Sequence, residues 1–216
     1  MNSPIAATRT YYEDKFRAHG PVPNGVDWGH ARAQALRFEQ LCKLLPQSRA
    51  RASPPSLNDL GCGYGALLDH LGAAGEPVDY LGIDLVPDMV DAARQRHGAQ
   101  GAFAVGSRCP RVADYAVASG LFNVRGQVPE AAWQEFILSV LDDLNTHSQL
   151  GFAFNALTRY SDPDRMRPDL YYADPLWLFD WCKRKYARNV ALLHDYDLYD
   201  FTIIVRKDAA FSGPAD

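Results

Sequence analysis

Leu57-Asn58-Asp59-Leu60-Gly61-Cys62-Gly63-Tyr64-Gly65 is the stretch on which the reading of this chain turns. It has the form of a short strand ending in an acid, a glycine-rich turn, and a helix opening near Ala66. Glycines at 61, 63 and 65 permit a sharp turn and the close approach of a ligand to main-chain N–H groups. The helix N-terminus behind the turn is electropositive and favours an anionic group. The pattern predicts a site for an extended, partly anionic small ligand.

Two ligands fit that description. Gly61-x-Gly63-x-x-Ala66 satisfies the dinucleotide pattern, in which a pyrophosphate sits on the helix N-terminus. The same residues satisfy a second pattern through Asp59, an acid two residues ahead of the first glycine. An acid there repels a pyrophosphate and attracts an ammonium or sulfonium. Asp59 tilts the reading from NAD towards S-adenosylmethionine. Val78-Asp79-Tyr80-Leu81-Gly82-Ile83-Asp84 then reads as a buried strand with an acid at its end, followed by a helix opened by Pro87. A carboxylate about 20 residues beyond the glycine turn is placed to accept ribose hydroxyls. The alternative for Asp84 is a helix cap.

Asp59-Leu60-Gly61-Cys62-Gly63-Tyr64-Gly65, together with Gly82-Ile83-Asp84-Leu85-Val86-Pro87-Asp88-Met89, resembles the class I S-adenosylmethionine-dependent methyltransferases, in particular their small-molecule branch. The resemblance runs weakly on through residues 55 to 206. Its motifs are specific for the cofactor and silent on the methyl acceptor.

Composition sets the outer limits. At 216 residues the chain is long enough for one domain with a full core. The expected division is a helical cap over 1–50, the cofactor-binding part over 51–210 and a tail at 211–216, with a short linker from Arg49 to Pro55. A net charge of −4 and no broadly basic balance argue against nucleic acid as a partner. Cys42, Cys62, Cys109 and Cys182 are widely spaced and read as reduced thiols of a cytoplasmic protein, with no disulfide framework and no metal site. Met1 to Thr10 lacks the apolar run of a secretory signal, and no stretch reaches membrane-spanning length.

Periodicity places helices at about 10–18, 30–45, 66–73, 87–97, 129–144 and 175–187. Strands fall near 56–60, 79–84, 102–106, 115–119 and 151–155. Alternation of this kind implies a parallel sheet with helices on both faces. The last two strand-like runs, 189–194 and 201–206, are separated only by a turn, so they must pair antiparallel. The fold class is therefore α/β: a Rossmann-like, seven-stranded, mostly parallel sheet with a C-terminal antiparallel hairpin and an N-terminal helical cap. The hairpin matches the methyltransferase fold and departs from the all-parallel dinucleotide fold.

Ligands of open α/β sheets sit beyond the C-terminal ends of the strands. Asp59 and the turn Gly61, Cys62, Gly63, Tyr64 and Gly65 are expected to hold the amino-acid part of the cofactor, and Asp84 its ribose. Leu85 and Met89 are candidates to flank the adenine. After strand three the family commonly shows an acid; here Ser107 stands in that slot. Ser119 and Gly120 are expected against the cofactor backbone. From the cap, Tyr11 and Arg37, or Gln34, are candidates to reach the cofactor. Trp28, Asn155, Tyr160 and Tyr172 are candidates for the acceptor pocket. The segment from 156 to 173 lacks periodicity and is rich in arginine and tyrosine. It suggests a lid for an aromatic or anionic small molecule. His194, oriented by Asp195, is the best candidate for a general base; the alternative is a structural residue at a strand end. Lys183, Arg184, Lys185 and Arg188 form the one basic run. A small-molecule O- or N-methyltransferase is the leading reading. An RNA or protein methyltransferase, a non-catalytic nucleoside-binding subunit and an NAD oxidoreductase remain open beside it.

Overall fold

A computed structural model describes residues 3–27, 31–46 and 53–207. Trp28, His30, most of the expected linker and the expected tail lie outside these described residues.

The strands form one seven-stranded sheet: β1 (Ser56–Leu60), β2 (Asp79–Asp84), β3 (Ala102–Val105), β4 (Ala113–Ala118), β5 (Ser148–Leu157), β6 (Asn189–Leu193) and β7 (Asp200–Arg206). Their order across the sheet is β3-β2-β1-β4-β5-β7-β6. All neighbours from β3 to β5 run parallel. β7 lies antiparallel between β5 and β6, with Phe154 opposite Ile203 and Leu192 opposite Ile203 on the other side. The expected hairpin is present. Its second strand, rather than its first, joins the rest of the sheet.

Helices cover both faces. Trp133, Ile137, Leu141 and Leu144 recur at three- and four-residue steps along α5 (Glu130–Thr146) and are fully buried with Phe152, Phe154 and Phe201 of the sheet. α6 (Pro175–Lys185) joins that layer through Leu178 and Cys182. Asp174 caps it, its carboxylate accepting from Leu176 N and Trp177 N. On the opposite face, α2 (Ala31–Cys42), α3 (Ala66–Ala74) and α4 (Pro87–His97) bury Leu41, Leu71 and Val90 against Leu57, Tyr80 and Val117. Side chains on successive strand residues go to opposite layers, as pleating requires: Ala116 and Ala118 to one, Tyr115 and Val117 to the other.

α1 (Pro4–His19) begins well before the expected Thr10. Ser3 accepts from Ala6 N, and Pro4 occupies the first turn. The helix packs against α4 and α5, across the end of the sheet where β1 and β4 part. The chain runs from β1 outwards through β2 to β3 and then crosses back to β4 on the other side of β1. The strand order therefore reverses between β1 and β4, and a crevice opens at that point.

The candidate cofactor and acceptor site

The crevice holds a cavity of about 900 Å³, including its mouth. Its floor comes from the chain that follows the central strands. After β1 come Gly61, Cys62, Gly63 and Tyr64, and after β2 come Asp84, Leu85 and Val86. Gly106 and Ser107 follow β3, and Ser119, Gly120 and Leu121 follow β4. Met89, Phe136 and Val140 close the sides, and Ile5, Thr8, Arg9 and Tyr12 of α1 form the roof.

The glycine turn is built differently from an anion cradle. Gly61 N and Cys62 N both donate to Ile83 O, at 2.7 and 3.0 Å, and Gly65 N donates to Cys62 O at 3.0 Å. Gly63 N donates to Asp84 Oδ2 at 2.8 Å. Four main-chain donors are thus engaged inside the protein. Two carboxylates take their place at the cavity surface. Asp59 is 2% exposed and accepts from the Tyr80 hydroxyl at 2.5 Å. Burial pushes its carboxyl up to about 7, against the pull of the Tyr80 hydrogen bond. Asp84, on the neighbouring strand, is also raised by burial and held back by N–H groups of Val86, Gly63 and Leu85. A pyrophosphate entering here would meet two buried acids.

Two glycines of the turn do different work. Gly63 has φ +56°, and a Cβ there would come within 3.0 Å of Val26 Cγ1 over the cavity. Gly65, at φ +84°, lies behind the cavity wall, where a Cβ would sit 2.6 Å from His97 Nε2. Gly65 is therefore needed for the imidazole packed beneath α3, and it lines no ligand surface.

A second cavity, of about 580 Å³ including the open solvent at its mouth, lies beside the first. Asp27, Ala33 and Arg37 come from the cap, Asn123 and Val124 from the chain after β4, and Leu157, Arg167 and Leu170 from β5 and the loop beyond. Tyr12 and Val26 line both cavities. The loop that was expected to be irregular is tied down: Thr158 bridges Ala173, and Val124 bridges Leu170. It is also pinned to the cap. Asp27 receives Lys15 at 2.8 Å, the Tyr11 hydroxyl at 2.8 Å and Arg167 at 3.3 Å. Arg167 also binds Asp169 at 2.5 Å.

Of the residues singled out from sequence, Asp59, Gly61, Cys62, Gly63, Tyr64, Asp84, Leu85, Met89, Ser107, Ser119 and Gly120 share the first cavity. Gln34 joins them and receives the Tyr64 hydroxyl at 3.3 Å. Arg37, one helical turn away, faces elsewhere. Its guanidinium binds the buried Asp200 at 3.0 and 2.5 Å, tying the cap to the start of β7. Tyr11 points to Asp27 and Arg167, outside the first cavity. Asn155 is fully buried and lines neither cavity; its amide accepts from Gly120 N at 2.7 Å and donates to Ser119 Oγ at 3.1 Å, holding that loop. Tyr172 accepts from Arg167 N. Tyr160 is 60% exposed and lies beside His194, ring centroids 6.1 Å apart. His194 and Asp195 are exposed and line neither cavity. They follow β6, four strand spacings from β1, which is about 19 Å. Residues to which the sequence reading gave no role include Ile5, Thr8, Arg9, Tyr12 and Val26; the mixed polarity of the first four hides their common face.

A family model described as a methyltransferase domain matches residues 58–140. A protein of Mycobacterium tuberculosis named "Putative methyltransferase Rv1506c" is 58% identical over 158 residues, which is 72% of this chain and 95% of that protein. This chain belongs to the class I S-adenosylmethionine-dependent methyltransferases.

Solved methyltransferases share the fold. The N-methyltransferase NodS from Bradyrhizobium japonicum, in complex with S-adenosylhomocysteine, superposes with a TM-score of 0.62 at 15% identity, over 93% of this chain and 98% of that one. The plantazolicin methyltransferase BpumL, also with S-adenosylhomocysteine, gives 0.60 at 12% identity over 94% and 95%. The donor set of this methyltransferase fits the family's cofactor. Its two acids suit hydroxyls and a cationic head. Thr8 is one of the residues that line the roof, and its own hydroxyl is buried without a hydrogen-bond partner among the described residues.

Proposed function

We propose that this methyltransferase transfers a methyl group to an oxygen or nitrogen atom of a small, uncharged and mainly apolar molecule held in the second cavity. The observation that carries this reading is the second cavity itself, which meets the first at Tyr12 and Val26.

In this reading Asp84 accepts the ribose hydroxyls, with oxygens already steadied by Gly63 N and Val86 N at 2.8 and 2.9 Å. Asp59 and the 61–64 turn receive the amino-acid part, where the carboxylate favours the ammonium. Leu85, Met89 and Ser107 flank the base, and Ser119 and Gly120, braced by Asn155, bound the cofactor's middle. Bound S-adenosylmethionine supplies an electrophilic methyl on a sulfonium. The protein's part is alignment and exclusion of water. No histidine lines either cavity among the described residues, so alignment carries the rate.

The acceptor class follows from charge. The arginines that give the 156–173 segment its basic look are paired: Arg159 with Asp174 at 2.8 Å, and Arg167 with Asp169 and Asp27. Of the other polar residues of the wall, Arg37 is paired with Asp200 and Asn123 Oδ1 accepts from Leu157 N, and the rest is Tyr12, Val26, Ala33, Val124, Leu157 and Leu170. That favours an apolar body over an anionic one. In the basic run, Arg184 binds Asp180 at 2.7 Å and Lys185 binds Asp142 at 2.9 Å, which weighs against nucleic acid. No helix among the described residues is long and apolar enough to cross a membrane. The free cysteines suit work in the reducing cytoplasm. The cap, 1–50, acts as part of the same domain as the roof of both cavities.

The test is transfer of label from S-adenosylmethionine to fractionated cell extract. Label is expected in the small-molecule fraction, and label confined to RNA or protein overturns the acceptor assignment.

A further inference from the structure

Tyr12 occupies a singular position. It and Val26 are the side chains common to both cavities, and Tyr12 is the one of the two with a polar atom. Along α1, Ile5, Thr8, Arg9 and Tyr12 fall on one stripe at three- and four-residue steps, so the roof of the first cavity ends at Tyr12. Its neighbour Tyr11 has its hydroxyl engaged by Asp27 and Arg167. Among the described residues the Tyr12 hydroxyl has no hydrogen-bond partner; the ring meets Tyr11 edge-on, centroids 5.3 Å apart. The hydroxyl is not among the buried unpartnered atoms, so it is open to what fills the cavities and a ligand can reach it.

We propose that the Tyr12 hydroxyl lies against the transferring methyl group, at the passage between the cofactor cavity and the acceptor cavity, and aligns the acceptor atom with it. This rests on the reading of the second cavity as the acceptor site. Burial raises the phenol, and the carboxylates that add to that effect are Asp27 from the acceptor side and Asp84 from the cofactor side. The hydroxyl stays neutral, so it orients by hydrogen bonding and takes no proton. When the methyl moves, the new bond forms between it and the acceptor atom. The bond to sulfur breaks, its electron pair stays on sulfur, and the acceptor's proton leaves to solvent.

The test needs no acceptor. S-adenosylhomocysteine has nothing at the methyl position, whereas sinefungin places an ammonium there. Calorimetry of both ligands with wild type, Tyr12→Phe and Tyr11→Phe reads the contact directly. Tyr12→Phe keeps the ring and removes a hydroxyl with no internal partner, and an unchanged melting temperature verifies the fold. The expected result is a Kd for S-adenosylhomocysteine within about twofold of wild type and a loss of about tenfold or more for sinefungin, the scale of a charged-group hydrogen bond. Tyr11→Phe should leave the ratio of the two affinities unchanged. Equal effects on both ligands in Tyr12→Phe, or the same shift in Tyr11→Phe, overturn the role of Tyr12 alone. Wild-type protein that binds neither ligand overturns the cofactor assignment and this proposal with it.

Discussion

The two cavities of this methyltransferase are made in different ways. The first is assembled from turns that follow four adjacent parallel strands, and its polar groups are fixed by short main-chain contacts such as Gly63 N to Asp84. The second is closed by side chains far apart in sequence, with Arg37 on Asp200 and Arg167 on Asp27 joining the cap to the C-terminal half. The floor of the first is therefore a property of the sheet, and only its roof comes from the cap. The second exists only while the cap is seated.

Breaking the buried pair should show this most strongly. Arg37→Ala leaves Asp200 buried without its guanidinium and is expected to cost about 3–5 kcal/mol of stability, read from the shift of a denaturant midpoint. Under conditions where the variant is folded, S-adenosylhomocysteine affinity should stay near wild type. A matching collapse of affinity would mean that the two cavities are one unit.

Asp84→Ala attacks the first cavity. Loss of hydrogen bonds to a charged group is worth about 1.5–3 kcal/mol, so cofactor affinity should fall at least about tenfold by calorimetry. Unchanged affinity would place the ribose elsewhere.

Asp59 gives a pH signature. Burial lifts its carboxyl to about 7 in the ligand-free protein, and a cationic head group favours the ionised form. Binding should then release a proton, and affinity should fall by up to about tenfold per pH unit below 7 and level off above it. Asp59→Asn should flatten that slope. The same raised carboxyl affects the ligand-free fold in the opposite sense. Its stabilising contribution is complete below the unfolded carboxylate range and is lost as pH rises through about 7.

The smallest effect is expected at the sheet edge. His194→Ala should leave turnover and cofactor affinity within about twofold, because surface substitutions away from a site change little. A large fall in turnover with affinity intact would restore His194 as a base and require the C-terminal hairpin to approach the cavities.

Much of the first cavity was legible in the chain because its parts are local. An acid, a glycine turn and a second acid at the next strand end each carry their own signal, and parallel pairing brings them together without further instruction. The exceptions are instructive. Gly65 fits the ligand motif and answers instead to His97, a contact 32 residues away in sequence. Arg37 and Gln34 lie on one helix three residues apart, and only packing decided which of them looks into the first cavity.

By itself, then, the sequence determined the alternation of strands and helices, the antiparallel end of the sheet and the acids of the first cavity, because each follows from periodicity or from a motif within a few residues. Tertiary structure decided the insertion of β7 beside β5, the distance of His194 from the crevice, and the choice of Tyr12 over Tyr11. Adjacent helical residues point about 100° apart, and the phase of α1 is invisible in a stripe of isoleucine, threonine, arginine and tyrosine. Such a stripe has mixed polarity because it roofs a cavity instead of packing into a core, and only the docked helix shows which way it faces.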